Sequence, residues 1–470
     1  MTETDTPLCD LKIGQAALAD RDSLDTVVEA IRTCLREGGS ATLRAFFEAH
    51  EPADLAAFLE RLPSAEALAA MRHVEIRDQA LIFGYLDAPC QTAVARLMSR
   101  RDLAALMSAM SHDERADLFN RLDPEAQEAL LPGLAHAERE DLRKLAAYPE
   151  GTVGSVMTSD YATVLSTATA DEAIAALRVQ APNSETIYQA YIVDPERRLV
   201  GSISLRELLL ARPDQRVADM MDPEPVHVRA DAPREEAANL IARYDLLALP
   251  VIDGGDKLVG IVTQDDAMDV EREEATSDFH KVGTVQKLTA GVRDAGIFVL
   301  YRARIVWLVL LVFGNIFSGA GIAAFEDTIQ AYVALVFFLP LLIDSGGNAG
   351  SQSATLMVRA LATGDVRAGD WTSMLGREVL VAGLLGLSMA LAVSLIGVVR
   401  AGPEIALVVA ASMVLIVVVG SVIGMSLPFI LSRFNLDPAT ASAPLVTSIA
   451  DATGVLIYFA LATRFLPPPG

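Results

Sequence analysis

The spacing of apolar positions along this chain changes twice, and each change marks a different kind of element. From Thr42 to about Tyr148, Leu and Ala recur at three- and four-residue intervals in short runs such as Asp54-Leu-Ala-Ala-Phe-Leu-Glu-Arg-Leu62, Arg101-Asp-Leu-Ala-Ala-Leu-Met107 and Pro124-Glu-Ala-Gln-Glu-Ala-Leu-Leu131. Asp or Pro stands near the run starts, so the spacing predicts short amphipathic helices stacked as a solenoid or bundle. Between residues 155 and 273 short β-branched runs alternate with helical patterns, and the alternation occurs twice. Val156-Met-Thr158 is echoed by Met220-Met-Asp222, and helices are predicted from near Asp171 and Arg234. The repeats end in Leu199-Val-Gly-Ser-Ile-Ser-Leu-Arg-Glu-Leu208 and Leu258-Val-Gly-Ile-Val-Thr-Gln-Asp-Asp-Ala267, with Gly201 and Gly260 read as marking the turn between the last two strands. That is the pattern of a paired α/β module. Beyond residue 300 the chain changes solvent. Five stretches, 305–325, 331–356, 379–399, 405–431 and 441–465, are almost wholly apolar. Each has roughly 20 or more residues, enough to cross about 30 Å of hydrocarbon.

Charge sharpens the division. Of 38 basic and 61 acidic residues, ten of each lie from residue 286 onward, leaving 28 and 51 in the first 285. The soluble half therefore carries the whole net charge of -23. A surface of that sign repels nucleic acid and anionic lipid and attracts cations. The acids peak in Asp265-Asp-Ala-Met-Asp-Val-Glu-Arg-Glu-Glu-Ala-Thr-Ser-Asp278, which leads into the first span. On a helix, Asp266, Asp269 and Glu273 share a face with Glu274 beside it, and like charges at that spacing repel unless cations sit among them. Cys9, Cys34 and Cys90 have no metal-ligand spacing and fit a reducing compartment without disulfides. The start, Met1-Thr-Glu-Thr-Asp5, lacks a signal peptide's basic and apolar regions, so the soluble half is expected to stay on the side of synthesis. Arg302, Arg304, Arg359, Arg367, Arg377 and Arg433 flank the spans on one side, with Glu326, Asp327 and Arg400 on the other. That bias predicts a multi-pass protein of the cytoplasmic (inner) membrane, embedded in lipid, with its N-terminal half cytosolic and its C-terminus outside.

Two acids break the apolar stretches. Asp344 lies in Leu339-Pro-Leu-Leu-Ile-Asp-Ser-Gly-Gly-Asn-Ala-Gly-Ser-Gln352, where Asp344, Asn348 and Gln352 fall four apart on one helical stripe. Asp451 lies in Ala450-Asp-Ala-Thr-Gly-Val-Leu-Ile-Tyr458, with no Lys or Arg within ten residues. An intramembrane carboxylate is protonated, solvated by a pore or paired with a cation. Carboxylate, amide and backbone oxygens suit a hard cation such as Mg²⁺ or Ca²⁺ rather than copper or zinc, and they also admit Mn²⁺ or Co²⁺. No Gly-x-x-x-x-Gly-Lys-Ser/Thr loop is present to drive an ATP-powered pump. A membrane hydrolase built on the two acids lacks a His or second carboxylate motif to activate water.

The chain resembles the MgtE family of magnesium channels and transporters along nearly its whole length. Segments 155–273 resemble a tandem of CBS domains. The family likeness is carried by Leu339-Pro-Leu-Leu342, Gly346-Gly-Asn-Ala-Gly-Ser-Gln-Ser-Ala-Thr355, Arg359-Ala-Leu-Ala-Thr363, Asp437-Pro-Ala439, Pro444-Leu-Val-Thr-Ser-Ile-Ala-Asp-Ala-Thr-Gly454 and Glu274-Ala-Thr-Ser-Asp-Phe-His-Lys281. It implies an N-terminal segment (1–40), an all-α N domain (41–150) and an α/β CBS pair (151–213 and 214–270). A linking or plug helix (271–300) and a five-helix transmembrane domain (301–470) follow. It further implies a homodimer that is not an enzyme, with a pore lined by the second and fifth spans. Asp451 becomes the essential pore carboxylate, Asn348 and Thr447 become pore contacts, and Asp344 is an accessory. Ala443 stands where some members carry a pore Asn. Regulatory Mg²⁺, closing the pore from the cytosol, falls on Asp113, Asp117, Glu235, Asp245, Asp266, Glu274 and Asp278, with Pro233 and Ser277 where members can carry acids. Arg206 and Glu207 mark an ATP position in the CBS pair, although Glu207 replaces Asp and Gln189 replaces an aromatic residue. The expected function is a Mg²⁺-selective, Mg²⁺-gated uptake channel, the alternative being a proton- or Na⁺-coupled divalent cation carrier.

Overall fold

The computed structural model describes residues 21–283, 296–434, 436–440 and 443–467. Cys9 and residues 284–295 of the linking segment lie outside the described residues. The chain forms two compact units, Met1–Arg272 and Glu273–Gly470.

The first unit begins with helices α1 (Arg21–Glu37), α2 (Ser40–Glu48), α3 (Pro52–Leu59), α4 (Ser64–Met71), α5 (Ile76–Gly84), α6 (Ala88–Leu97), α7 (Arg100–Ala109), α8 (His112–Arg121), α9 (Pro124–Leu130) and α10 (His136–Leu145). Their starts are chemically fixed. Asp87, Ser99 and Asp123 accept hydrogen bonds from the backbone N–H groups of Cys90, Asp102 and Ala126, and Pro opens α3 and α9. The apolar stripes bury Leu43, Phe46, Phe58, Met71 and Phe83 in one continuous core. Arg115 is buried within it because its guanidinium donates to Met107 O at 2.6 Å and Met110 O at 3.0 Å, binding carbonyls at the end of α7.

Two three-stranded sheets follow. In the first, β1 (Tyr161–Val164), β2 (Thr186–Val193) and β3 (Leu199–Ser204) lie in that order with β1 parallel and β3 antiparallel to β2. The second repeats this with β4 (Val228–Arg229), β5 (Ala248–Ile252) and β6 (Leu258–Thr263). Helices α11 (Ala170–Gln180) and α13 (Arg234–Tyr244) occupy the predicted places, and α12 (Leu205–Leu210) follows β3. The echoed triplets cross over. Thr158 exchanges two 2.9 Å backbone bonds with Ile261 of the second sheet, and Asp222 exchanges two with Ser202 of the first. Gly201 and Gly260 are therefore not turn residues, as their sequence setting suggested; they lie inside β3 and β6. A Cβ on either would come within 2.8 Å of the crossing carbonyl of Asp222 or Thr158, so the crossing backbone explains both glycines.

Helix α14 (Gln264–Val282) begins directly after β6, seven residues before the predicted linking segment. The membrane helices are α15 (Ile297–Ala323), α17 (Ala334–Ala362), α18 (Trp371–Ala401), α19 (Pro403–Arg433) and α20 (Ala443–Phe465), with short α16 (Glu326–Ala331) between the first two. All five are long and apolar enough to cross a membrane. The first and third begin eight residues earlier than the sequence bounds, which fell just past Arg304 and Glu378, because helical backbone hydrogen bonding runs through those charged residues. Helices α17 and α19 meet through Gly346, Gly350, Gly420 and Gly424; a Cβ on Gly350 would lie 2.6 Å from Gly420 O. Such small residues let helix backbones touch without a hydrophobic driving force.

Candidate ion pathway and acid cluster of the first unit

With one face of α17 fixed against α19, another lies along α20 in antiparallel register. Near one end, the buried Tyr458 hydroxyl donates to Leu335 O at 3.0 Å. In the middle, Gly347 faces Thr447 and Asp451: a Cβ there would stand 2.9 Å from Thr447 Cγ2 and 3.4 Å from Asp451 Oδ1. One turn on, Ser351 Oγ lies 3.1 Å from Thr447 Oγ1 and 3.3 Å from Ala443 O. Thr447 Oγ1 itself donates to Ala443 O at 2.9 Å. Asn348 Nδ2 donates to Asp344 Oδ2 at 3.2 Å, joining two of the three residues of the four-residue stripe. The structure thus gathers the sequence-predicted Asp344, Asn348, Thr447 and Asp451 along the α17–α20 contact, and adds Gly347 and Ser351.

Asp451 Oδ1 is buried and has no hydrogen-bond partner among the described residues. Buried polar atoms are rarely left so, and a bare carboxylate in hydrocarbon is costly. Among the described residues the one other acid acting on it, Asp344, repels it. The surrounding groups offer oxygen acceptors, and among the described residues no basic side chain acts on it. A hard cation passing along this face fits that donor set.

In the first unit a second group of acids forms where α8, the β1–β2 connection and the start of α14 approach one another. Asp113, its pKa raised chiefly by burial, feels the charge of Asp265. Burial and Asp113 push Asp266 up to about 8, against a hydrogen bond donated by the Thr263 hydroxyl. Burial and Asp113 push Glu114 up to about 7, with Glu185 and Asp117 adding to it. Glu185 is likewise raised to about 7 by burial and then by Asp113, Asp160 and Asp265. Asp113, Asp117 and Asp266 were expected here from sequence; Glu114, Asp160, Glu185 and Asp265 were not assigned. Glu114 adjoins Asp113 and was within reach of sequence reasoning, whereas Asp160 and Glu185 join only through tertiary packing. Among the described residues no three His, Cys, Asp or Glu side chains form a group that could hold a metal ion. The acids are a repelling patch rather than a closed cage.

Beside this patch, His112 Nδ1 lies 2.8 Å from Asp141 Oδ2, 2.6 Å from Ser159 Oγ and 3.2 Å from Asp160 Oδ1, joining α8 and α10 to the segment before β1. Burial would lower the imidazole pKa; the two carboxylates outweigh it and raise it.

Glu235 and Asp245 stand exposed at opposite ends of the 11-residue α13. At about 1.5 Å per residue, one copy of that helix does not bring them together. In the second unit, Lys281 Nζ bridges Asp278 at 3.5 Å and Asp437 at 2.5 Å, and Glu274 adds its field to both members of the helix pair. Arg206 is exposed at the start of α12. Glu207 instead completes a capping box, accepting from Ser204 N at 2.9 Å and Ser204 Oγ at 2.7 Å. Gln189 donates to Ser202 Oγ at 3.0 Å.

Comparison with known proteins yields a consistent set. The MgtE family model, described as a divalent cation transporter, matches residues 339–461, and the MgtE intracellular N domain model matches 50–151. The CBS domain model matches 153–214 and 217–273. The magnesium transporter MgtE of Thermus thermophilus is 38% identical over 451 residues, covering 93% of this chain and 98% of the relative. That of Bacillus subtilis is 31% identical over 443 residues, covering 94% and 98%. A crystal structure of the soluble part of a magnesium transporter matches 54% of this chain and 99% of its own, at TM-score 0.50 and 29% identity. A crystal structure of the cytosolic domain of the Mg²⁺ channel MgtE in complex with ATP matches 52% and 99%, at TM-score 0.50 and 34% identity.

Proposed function

This chain belongs to the MgtE family of divalent cation transporters, and from that premise we propose that it is a Mg²⁺-selective, Mg²⁺-gated uptake channel of the cytoplasmic membrane. The observation that carries the reading is Asp451: a carboxylate oxygen buried in a membrane helix without a partner among the described residues, beside a column of oxygen acceptors. Two copies of the chain would complete the pathway, each contributing its α17 and α20 face. Mg²⁺ sheds water reluctantly, so one charged oxygen per copy plus acceptors for retained water suits it better than a full protein cage. An inside-negative potential drives entry by about 2.3 kcal/mol per charge per 100 mV, and so by roughly twice that for a divalent ion.

Cytosolic Mg²⁺ closes the pathway in this reading. The acids Asp113, Asp117, Glu185 and Asp266 repel one another when bare. A divalent ion that binds only their compact arrangement shifts the population towards it by mass action. Asp245 and Glu235 would act in contacts that a single copy does not make. Helix α14, with Glu274 and Asp278 on its later turns, is the element that conveys closure. ATP at Arg206 would be a second input, supported by the ATP-bound relative, with Glu207 held in its cap.

The test is electrical. Full-length protein in a planar bilayer should pass current whose reversal potential follows the Mg²⁺ gradient. A reversal potential that follows the proton or Na⁺ gradient overturns the channel in favour of a coupled carrier.

A further inference from the structure

We propose that Ser351 is a specificity-determining residue of the pathway, forming with Thr447 a pair of oxygen acceptors one helical turn from Asp451; this rests on the pore reading above. Ser351 and Thr447 have one hydroxyl proton each. Thr447 Oγ1 donates to Ala443 O at 2.9 Å, and Ser351 Oγ lies within bonding distance of both Thr447 Oγ1 and Ala443 O. Whichever of the two hydroxyls donates across the 3.1 Å contact, both protons are used inside this trio. The lone pairs left on Ser351 Oγ then have no donor among the described residues. Such a hydroxyl presents only negative density to whatever passes.

Position decides what meets it. Ser351 is one turn along α17 from Gly347, and Gly347 is the residue over which Asp451 Oδ1 lies. A cation drawn to Asp451 therefore has this acceptor pair one turn away on the side of Ala443. At that position the chain has a methyl group, which offers no side-chain oxygen of its own. Ser351 reaches the same spot from the facing helix and holds the Ala443 carbonyl. The first-shell waters of a small divalent ion are strong donors, so acceptors that cannot donate favour an ion that keeps its water. An ion that exchanges water for protein oxygens readily gains less from them.

The experiment uses full-length protein in liposomes, reading Mg²⁺ and Ca²⁺ entry separately under the same imposed potential. Ser351→Ala, nearly isosteric, should lower the Mg²⁺ to Ca²⁺ flux ratio by roughly fivefold, the scale of one net hydrogen bond. Ser351→Thr, which restores the hydroxyl, should return the ratio to within about twofold of wild type on the same scale. An unchanged ratio in Ser351→Ala, or an equal fall for both ions, overturns the inference and leaves Ser351 a packing residue. Asp451→Ala measured alongside separates the two levels: wild-type flux in that variant overturns the pathway itself.

Discussion

Gly347 and Asp451 face each other across the α17–α20 contact, where a methyl group on Gly347 would stand 3.4 Å from Asp451 Oδ1 and 2.9 Å from Thr447 Cγ2. The glycine leaves the carboxylate its space, and the small residues behind it hold α17 against α19. Sequence thus sets both the location of the acid and the gap in front of it.

The first prediction follows from that gap. Gly347→Ala should reduce Mg²⁺ uptake at least roughly fivefold, since overpacking by one methyl costs about 1–3 kcal/mol and 1.4 kcal/mol is tenfold. Expression and elution of the membrane protein should be unchanged. Uptake assays in reconstituted liposomes check it, and normal uptake would place Asp451 away from this contact.

Glu185 stands in no recognisable motif yet shares the acid patch with Asp113 and Asp265. Glu185→Gln should raise the internal Mg²⁺ needed for half-closure by roughly threefold, the scale of a modest change in differential affinity. Asp266→Asn should act in the same direction. Flux measured against internal Mg²⁺ provides the test; an unshifted inhibition curve for both variants removes the patch from the gate.

The patch also titrates. Asp266, Glu114 and Glu185 have raised carboxyl values, to about 8, 7 and 7. The compact state therefore binds more protons than the open one from about pH 4 to 8. Its stability is fully present below the ordinary carboxylate range and is lost as pH rises towards 8. His112, also raised, works the same way, stabilising below its ordinary value and less as pH rises through the folded one. Proteolysis of the full chain without Mg²⁺ should accordingly be slower at pH 6 than at pH 8. Added Mg²⁺ should erase the difference. Faster cleavage at pH 6 would reverse the sign of the electrostatics assigned here.

Lys281 couples α14 to the turn that opens α20 through Asp437. The Lys281 and Asp437 side chains are 33% and 40% exposed, so the pair by itself contributes little to stability. Its effect should appear as coupling. Lys281→Met and Asp437→Asn together should shift half-closure no further than the larger single change, a double-mutant cycle read on flux. Additive shifts would mean that the two residues act separately.

The large architecture was legible because its signals are periodic. Five apolar stretches, a doubled strand–helix pattern and capped Leu/Ala runs each correspond to elements seen. The starts of the first and third spans were not, since charged residues break the apolar pattern while helical hydrogen bonding runs through them. Gly201 and Gly260 were misread as turns because their cause is another strand: the crossing carbonyls of Asp222 and Thr158 come from the opposite repeat. Asp160 and Glu185 were invisible for the same kind of reason, their charges meeting Asp113 only after the sheets pack on α8. Asp451 could be picked out as an acid in an apolar stretch, but its unpartnered oxygen and the Ser351–Thr447 pair needed coordinates.

The most direct test of the account is Mg²⁺ uptake by Asp451→Asn, which removes the charge and keeps the shape. Full-length protein in liposomes under an inside-negative potential should lose uptake by roughly a hundredfold or more, the scale of a missing charge in a low-dielectric path. Mg²⁺ should still protect its first unit from protease. Uptake at the wild-type rate by this variant would contradict the claim that the ion passes Asp451.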